Sequence, residues 1–462
     1  MIDNLSIYGD SENPYFSLRN FAIKLSFNLS ETWVVEPETI EKFAEFLHEY
    51  THYLQVFTTI NGLSAILQHI ETQIKLIFKI TTKLIQGNQD LYACIKENKE
   101  NIETTQNILF WERNPRSHSD NLIPNYFVTE IANPILHMKT NEVFILNIID
   151  HRYYHISTKV LRENMAMMAN FYIRGIGSDA IMDHIKIFPS EEKPYSPKYW
   201  IIFSYFFYKY PIISNHVIFT FYFCELALMS INSGQMVVNL LSEIDKKLQS
   251  GKYTNENDFF ILFFNLKSYL YDFFNNLYPL FKSEINKNID ILQQMQVTLN
   301  DFIKEKLNEQ EYFQSFQVVL ELINRGINFK RENGTIFNNR LDNSWVMNKA
   351  QVFYSPIILD PKGHTSVIYN DIEYVQRISI VYGISIVTDL IQRDKGIASC
   401  PFYSTIPICE CDKTGINHIC EEDPLNIKPF KDGGCLFYNS CLVLGLLPFE
   451  ELKKFGLTTA ST

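Results

Sequence analysis

Between Thr39 and Thr59 the chain has no proline and no glycine, and Ile40, Phe43, Phe46, Leu47, Tyr50, Leu54 and Val56 make the segment apolar on most sides. That pattern predicts a helix buried nearly all round. Yet the same stretch carries His48, Glu49 and His52. Buried polar groups are costly unless something satisfies them. In the order His48-Glu49-Tyr50-Thr51-His52, the two imidazoles fall one turn apart on one helical face. There they can grip one divalent cation, with Glu49 beside them as a base. The plainer alternative is that both histidines bond to backbone or carboxylate neighbours.

Composition narrows the class. The chain has 462 residues, 46% of them apolar, with 36 Phe and 26 Tyr but only 17 Gly and 17 Pro. A sizeable core of bulky helix packing follows, rather than a repeat or a linker-rich chain. Net charge is −11 with no dense Lys/Arg block, which argues against nucleic acid as the main partner. The first residues, Met1-Ile2-Asp3-Asn4-Leu5, lack the basic and apolar regions of an export signal. Of the longest apolar stretches, Tyr199–Tyr208 is too short to span a bilayer and Val217–Ile231 carries Glu225 near its centre. The expectation is a cytoplasmic protein with no membrane partner.

Residues 14–35 alternate at near period two, through Phe16, Leu18, Phe21, Ile23, Leu25 and Phe27, and read as one or two strands. Glu36-Pro37-Glu38 suits a helix start. That helix is expected to reach about Thr59 and to break at Asn61-Gly62, with a second helix to about Gln86. Residues 87–125 are polar and Asn/Lys-rich. A β-like patch covers Glu142–Ile149, and Thr158–Ile173 reads as a helix closed by Gly175 and Gly177. An aromatic helical hairpin follows around Pro211, with arms Pro197–Tyr210 and Asn215–Ser233. Amphipathic helices run from Gln235 to about Lys330. Residues 353–371 read as a hairpin turning at Asp360-Pro361-Lys362-Gly363, and Asp371–Asp394 as helix. The fold class is therefore α+β, predominantly α-helical. The expected divisions are N-terminal strands (1–35), the region of the His48–His52 helix (36–233), a helical module (234–352), a hairpin and helix (353–395) and a Cys-rich tail (396–462).

The H-E-x-x-H run resembles the active-site helix of the zincin metallopeptidases, with the preceding strand-then-helix order matching more loosely. The resemblance implies a zincin-like catalytic core, a Zn2+ cofactor, His48 and His52 as zinc ligands, and Glu49 as general acid/base. A third protein ligand is needed, leaving one position open for water. The metzincin arrangement is excluded, because its Gly and third-His places hold Gln55 and Thr58. The gluzincin arrangement takes a Glu from a later helix. Glu163, in Leu161-Arg162-Glu163-Asn164-Met165-Ala166, resembles that helix and is the favoured metal ligand. Glu225, a lone carboxylate in Phe223-Cys224-Glu225-Leu226-Ala227, is the alternative. The loser could orient a zinc histidine. A donor for the oxyanion is expected as well, and His151-Arg152-Tyr153-Tyr154-His155 could present one, although that run reads equally as an aromatic surface loop.

The implied activity is that of a zinc-dependent endopeptidase acting on a protein or peptide substrate. Glu49 would activate a zinc-bound water and return the proton to the leaving amine. The strands before the helix could pair with an extended substrate. The helical module could receive a regulatory protein partner, which would suit an intracellular effector or toxin protease. Two rivals stand beside this reading. One is a catalytically silent zincin-like binding module, which the intact Glu49 disfavours. The other is a non-haem di-iron protein, which needs E-x-x-H on two helices; here Glu45-x-x-His48 and Glu49-x-x-His52 share one. Six cysteines between Cys400 and Cys441, with His418, could hold a structural metal or pack as free thiols.

Overall fold

The computed structural model describes residues 14–17, 21–31, 39–85, 117–118, 143–147, 152–187, 199–210, 213, 215–249, 267–307, 312–333, 343–361 and 365–368, with 374, 377, 378, 381, 383, 384 and 440 singly. Two small sheets accompany a helical body. The first has strand order β1-β2-β6-β7, from β1 (Tyr15–Ser17), β2 (Ala22–Lys24), β6 (Ile357–Leu359) and β7 (Thr365–Ser366). Segments far apart in the chain meet in it, since β2 runs parallel to β6 with Ile23 opposite Ile358. The second sheet is β3-β5-β4, from β3 (Ser117–His118), β4 (Val143–Asn147) and β5 (Arg152–Ile156). The architecture is thus α+β and mainly helical. Of the one or two strands expected within 14–35, two form, and the β-patch at 142–149 and the hairpin after residue 353 are present as well.

Helix α1 spans Ile40–Thr58 and α2 spans Ile60–Ile85. The break between them differs from the sequence expectation. It falls at Thr59, which is extended (φ −119°, ψ 149°), whereas Asn61 and Gly62 lie in the first turn of α2. Thr59 is the joint because its hydroxyl donates to the Gln55 carbonyl at 2.7 Å and accepts from the Gly62 N–H at 3.0 Å. It therefore closes one helix and N-caps the next. Gly62 serves packing rather than breaking: a Cβ there would lie 2.1 Å from the Gln55 carbonyl oxygen.

Helix α3 (Thr158–Ile173) has an N-cap at Ser157, whose hydroxyl accepts from the Val160 N–H at 3.3 Å. It closes as expected at Gly175, which takes φ +66°. The Gly175 N–H bonds to the Tyr172 carbonyl and the Ile176 N–H to the Phe171 carbonyl, the paired pattern that a left-handed glycine permits. After α4 (Ser178–Ile187) come α5 (Ile201–Lys209) and α6 (His216–Ala227). Phe206 sits between them, its ring 4.9 Å from Phe219 and 4.7 Å from Phe223. Helix α6 stops earlier than expected. Asn232 caps a new helix, α7 (Ser233–Gln249), by accepting from the Gln235 N–H at 3.1 Å.

The remaining helices are α8 (Lys267–Leu307), α9 (Tyr312–Asn333) and α10 (Asn343–Phe353). They pack on the N-terminal helices directly. The Tyr50 hydroxyl donates to the Val346 carbonyl, and Tyr53 donates to the Phe353 carbonyl at 2.7 Å. Gly326 of α9 faces the α1 backbone so closely that a Cβ would lie 2.0 Å from the Phe57 oxygen. Among the described residues no helix is long and apolar enough to cross a membrane. Cys224 is a buried free thiol. The Cys400–Cys441 cluster, most of the 371–394 helix and Pro211 lie outside the described residues.

Candidate metal centre

Helix α1 packs against α3, and α3 in turn against α6. The first crossing brings Glu163 onto the histidine face of α1. The Nε2 atoms of His48 and His52 are 3.3 Å apart. Glu163 Oε2 lies 3.6 Å from the first and 3.4 Å from the second. Around a tetrahedral zinc with bonds of roughly 2.0–2.1 Å, neighbouring ligand atoms are about 3.3–3.4 Å apart. The three measured separations are close to the edges of such a tetrahedron's face. The group could therefore hold a metal ion, and its two-nitrogen, one-carboxylate donor set suits zinc among others. It is the only such cluster among the described residues.

The surroundings are buried but not sealed: His48 is 9% exposed and Glu49 8%. Burial pulls the His52 pKa down, but the Glu163 carboxylate, with Glu49 and Gln55, outweighs it and leaves the net shift upward. The imidazoles thus face a concentrated negative field, which also attracts a cation. Glu49 stands outside the three-donor group but near it, close enough for its charge to act on both His52 and Tyr199.

Tyr199 was missed at the sequence level. Its ring centre lies 6.1 Å from that of His48. Burial first, then Glu163 and Glu49, push its hydroxyl pKa far up, so it stays protonated and able to donate. The residue next to Glu163 helps to place it. Asn164 is fully buried; its Nδ2 donates to the Val160 carbonyl and its Oδ1 accepts from the Ile202 N–H at 3.1 Å. One turn of α3 thus presents Glu163 to the histidines and caps the helix whose leading edge carries Tyr199. The only sequence signal was an Asn beside the favoured ligand Glu163. Tyr154, from the run that could offer an oxyanion donor or read as an aromatic surface loop, is buried in the core, and His151 lies outside the described residues.

Glu225 does not join the group. It is 2% exposed on α6 and pairs with the fully buried Lys330 of α9 at 3.3 Å. The expectation that Glu225 needs a partner holds, but the partner is a lysine rather than a metal. Lys330 was unforeseen in that role, because a lysine in the last turn of an amphipathic helix ordinarily points to solvent.

No family model matches this chain, and no curated protein or solved structure gives a significant match. The resemblance to zincins therefore rests on the residues themselves.

Proposed function

We propose that this chain is a zinc-dependent endopeptidase of zincin-like, gluzincin-type design. The observation that carries the proposal is the near-tetrahedral spacing of His48 Nε2, His52 Nε2 and Glu163 Oε2, with Glu49 one residue along the same buried helix. His48, His52 and Glu163 would hold the ion. Zinc bound there would supply Lewis acidity and lower the pKa of water to about 7. The Glu49 carboxylate accepts the proton of the attacking water and delivers it to the departing amine nitrogen. The Tyr199 hydroxyl donates to the carbonyl oxygen of the scissile bond as charge gathers there.

An extended substrate would be read by its backbone. Strand β1 is an edge of the four-stranded sheet and packs on α1, where Phe16 meets Tyr53 edge to face with ring centres 6.0 Å apart. Pairing along that edge would run a peptide beside the helix that bears Glu49. A regulatory partner would act through the helical module of residues 234–352, where α9 packs on α1 and α10 accepts hydrogen bonds from Tyr50 and Tyr53 of α1.

The test combines metal content with the Glu49→Gln variant. Purified protein should hold one zinc per chain. New protein N-termini generated in a cell lysate should fall by about 10²-fold or more in Glu49→Gln, with zinc content unchanged. Absence of metal from zinc-loaded protein, or cleavage that persists in the variant, would overturn the reading. Two irons per chain would point instead to the di-iron alternative.

A further inference from the structure

Gln55 lies on α1, three residues after His52, and is fully buried. It has no function in the reading above beyond standing where a metzincin would carry glycine. Its amide orientation is set by its neighbours. The Arg162 main-chain oxygen can only accept, so the atom 3.0 Å from it must be the donor, Nε2. Oε1 then faces His52 Nδ1 at 3.0 Å and can only accept. His52 Nδ1 therefore carries a hydrogen, which directs the other ring nitrogen, Nε2, to His48 and Glu163. Arg162 immediately precedes Glu163, so the same amide also grips the backbone that presents the carboxylate. A second tie backs the first: Arg162 Nη2 donates to Asn61 Oδ1 at 2.8 Å, and the Asn61 N–H donates to the Leu228 carbonyl at 3.0 Å.

We infer that Gln55 is a positioning residue of the metal centre, a single buried amide that selects the His52 nitrogen facing the ion and ties that ring to the main chain beside Glu163. The inference rests on the metal reading above. Partners of this kind are worth roughly 10–100-fold in metal affinity. Local sequence patterns miss it, because the bond to Arg162 spans 107 positions.

The test measures zinc affinity by chelator competition in wild type, Gln55→Leu and Gln55→Glu, and follows the His52 Nδ1–H proton by NMR in each zinc form. Unfolding of the metal-free proteins monitors their folding. If wild type fails to bind zinc, the metal reading itself falls before any variant is compared. If it binds, Gln55→Leu should lose about 10–100-fold in affinity and its Nδ1–H signal should vanish by solvent exchange. Gln55→Glu, which keeps the acceptor for His52 but lacks the amide donor to Arg162, should retain the signal and lose less affinity than Gln55→Leu. Wild-type-like binding by Gln55→Leu overturns the inference, as does an equal loss in Gln55→Glu. Should Gln55→Leu not fold, Gln55→Glu decides alone: a retained Nδ1–H signal supports the role, and its loss removes it.

Discussion

The polar residues of the site divide by how far their partners lie along the chain. His48, Glu49 and His52 satisfy a local rule, two ligands one turn apart with an acid between them, and so are legible in any window that covers α1. Glu163 is legible at one remove, as a carboxylate on an apolar helix. Gln55 and Tyr199 are not, because each acquires its role from a neighbour more than a hundred positions away. Tyr199 is the sharper test of the reaction. Tyr199→Phe removes one hydroxyl from a site whose metal donors lie elsewhere, so zinc affinity should stay within about twofold of wild type. The kcat should fall by about 10²-fold with little change in KM, as expected for a donor that acts on developing charge. A change confined to KM would reassign Tyr199 to substrate binding.

Helix types and spans were largely readable, and joints were not. Ser157 and Gly175 bracket α3 where cap chemistry places them. Asn61-Gly62 shows the opposite case. Glycine breaks helices, but it also lets two helices touch, and sequence cannot say which function is in use. Here the break belongs to Thr59, and Gly62 lets the α2 backbone lie on α1. Gly326 performs the same service for α9. Gly326→Ala should therefore cost about 1–3 kcal/mol, since its methyl would meet the Phe57 carbonyl oxygen and Leu63 Cδ2. Denaturant unfolding of the metal-free protein measures this. A wild-type midpoint would mean that the α1–α9 contact is looser than its geometry indicates.

At the scale of the molecule, the Glu225–Lys330 pair joins α6 to α9 through the interior. Burial pulls the Lys330 pKa down to about 8 against the opposing pull of Glu225, and Lys349 adds to the lowering. Unfolded, Lys330 returns to near 10.5. Below pH about 8 both states carry the proton and the group contributes no pH dependence. Between about 8 and 10.5 the unfolded chain holds more protons, so this group makes stability rise with pH. Lys330→Met should lack that rise. At neutral pH it should be less stable than wild type by about 3–5 kcal/mol, because Glu225 loses its buried counter-charge. Adding Glu225→Leu should recover most of the loss. Urea unfolding at pH 7.5 and pH 10 checks all three statements, and an undiminished single variant would mean that the Glu225–Lys330 contact contributes nothing to stability.

That ion pair also bears on where the chain can be cut. Glu225 sits on α6, which packs against the helix presenting Glu163, while its cation arrives from α9, 105 positions later. A fragment ending before residue 312 would keep every proposed zinc donor and still inherit an acid stranded in its interior. Such a truncation should be recovered as insoluble material rather than as a minimal enzyme, and limited proteolysis should yield nicked but undissociated protein.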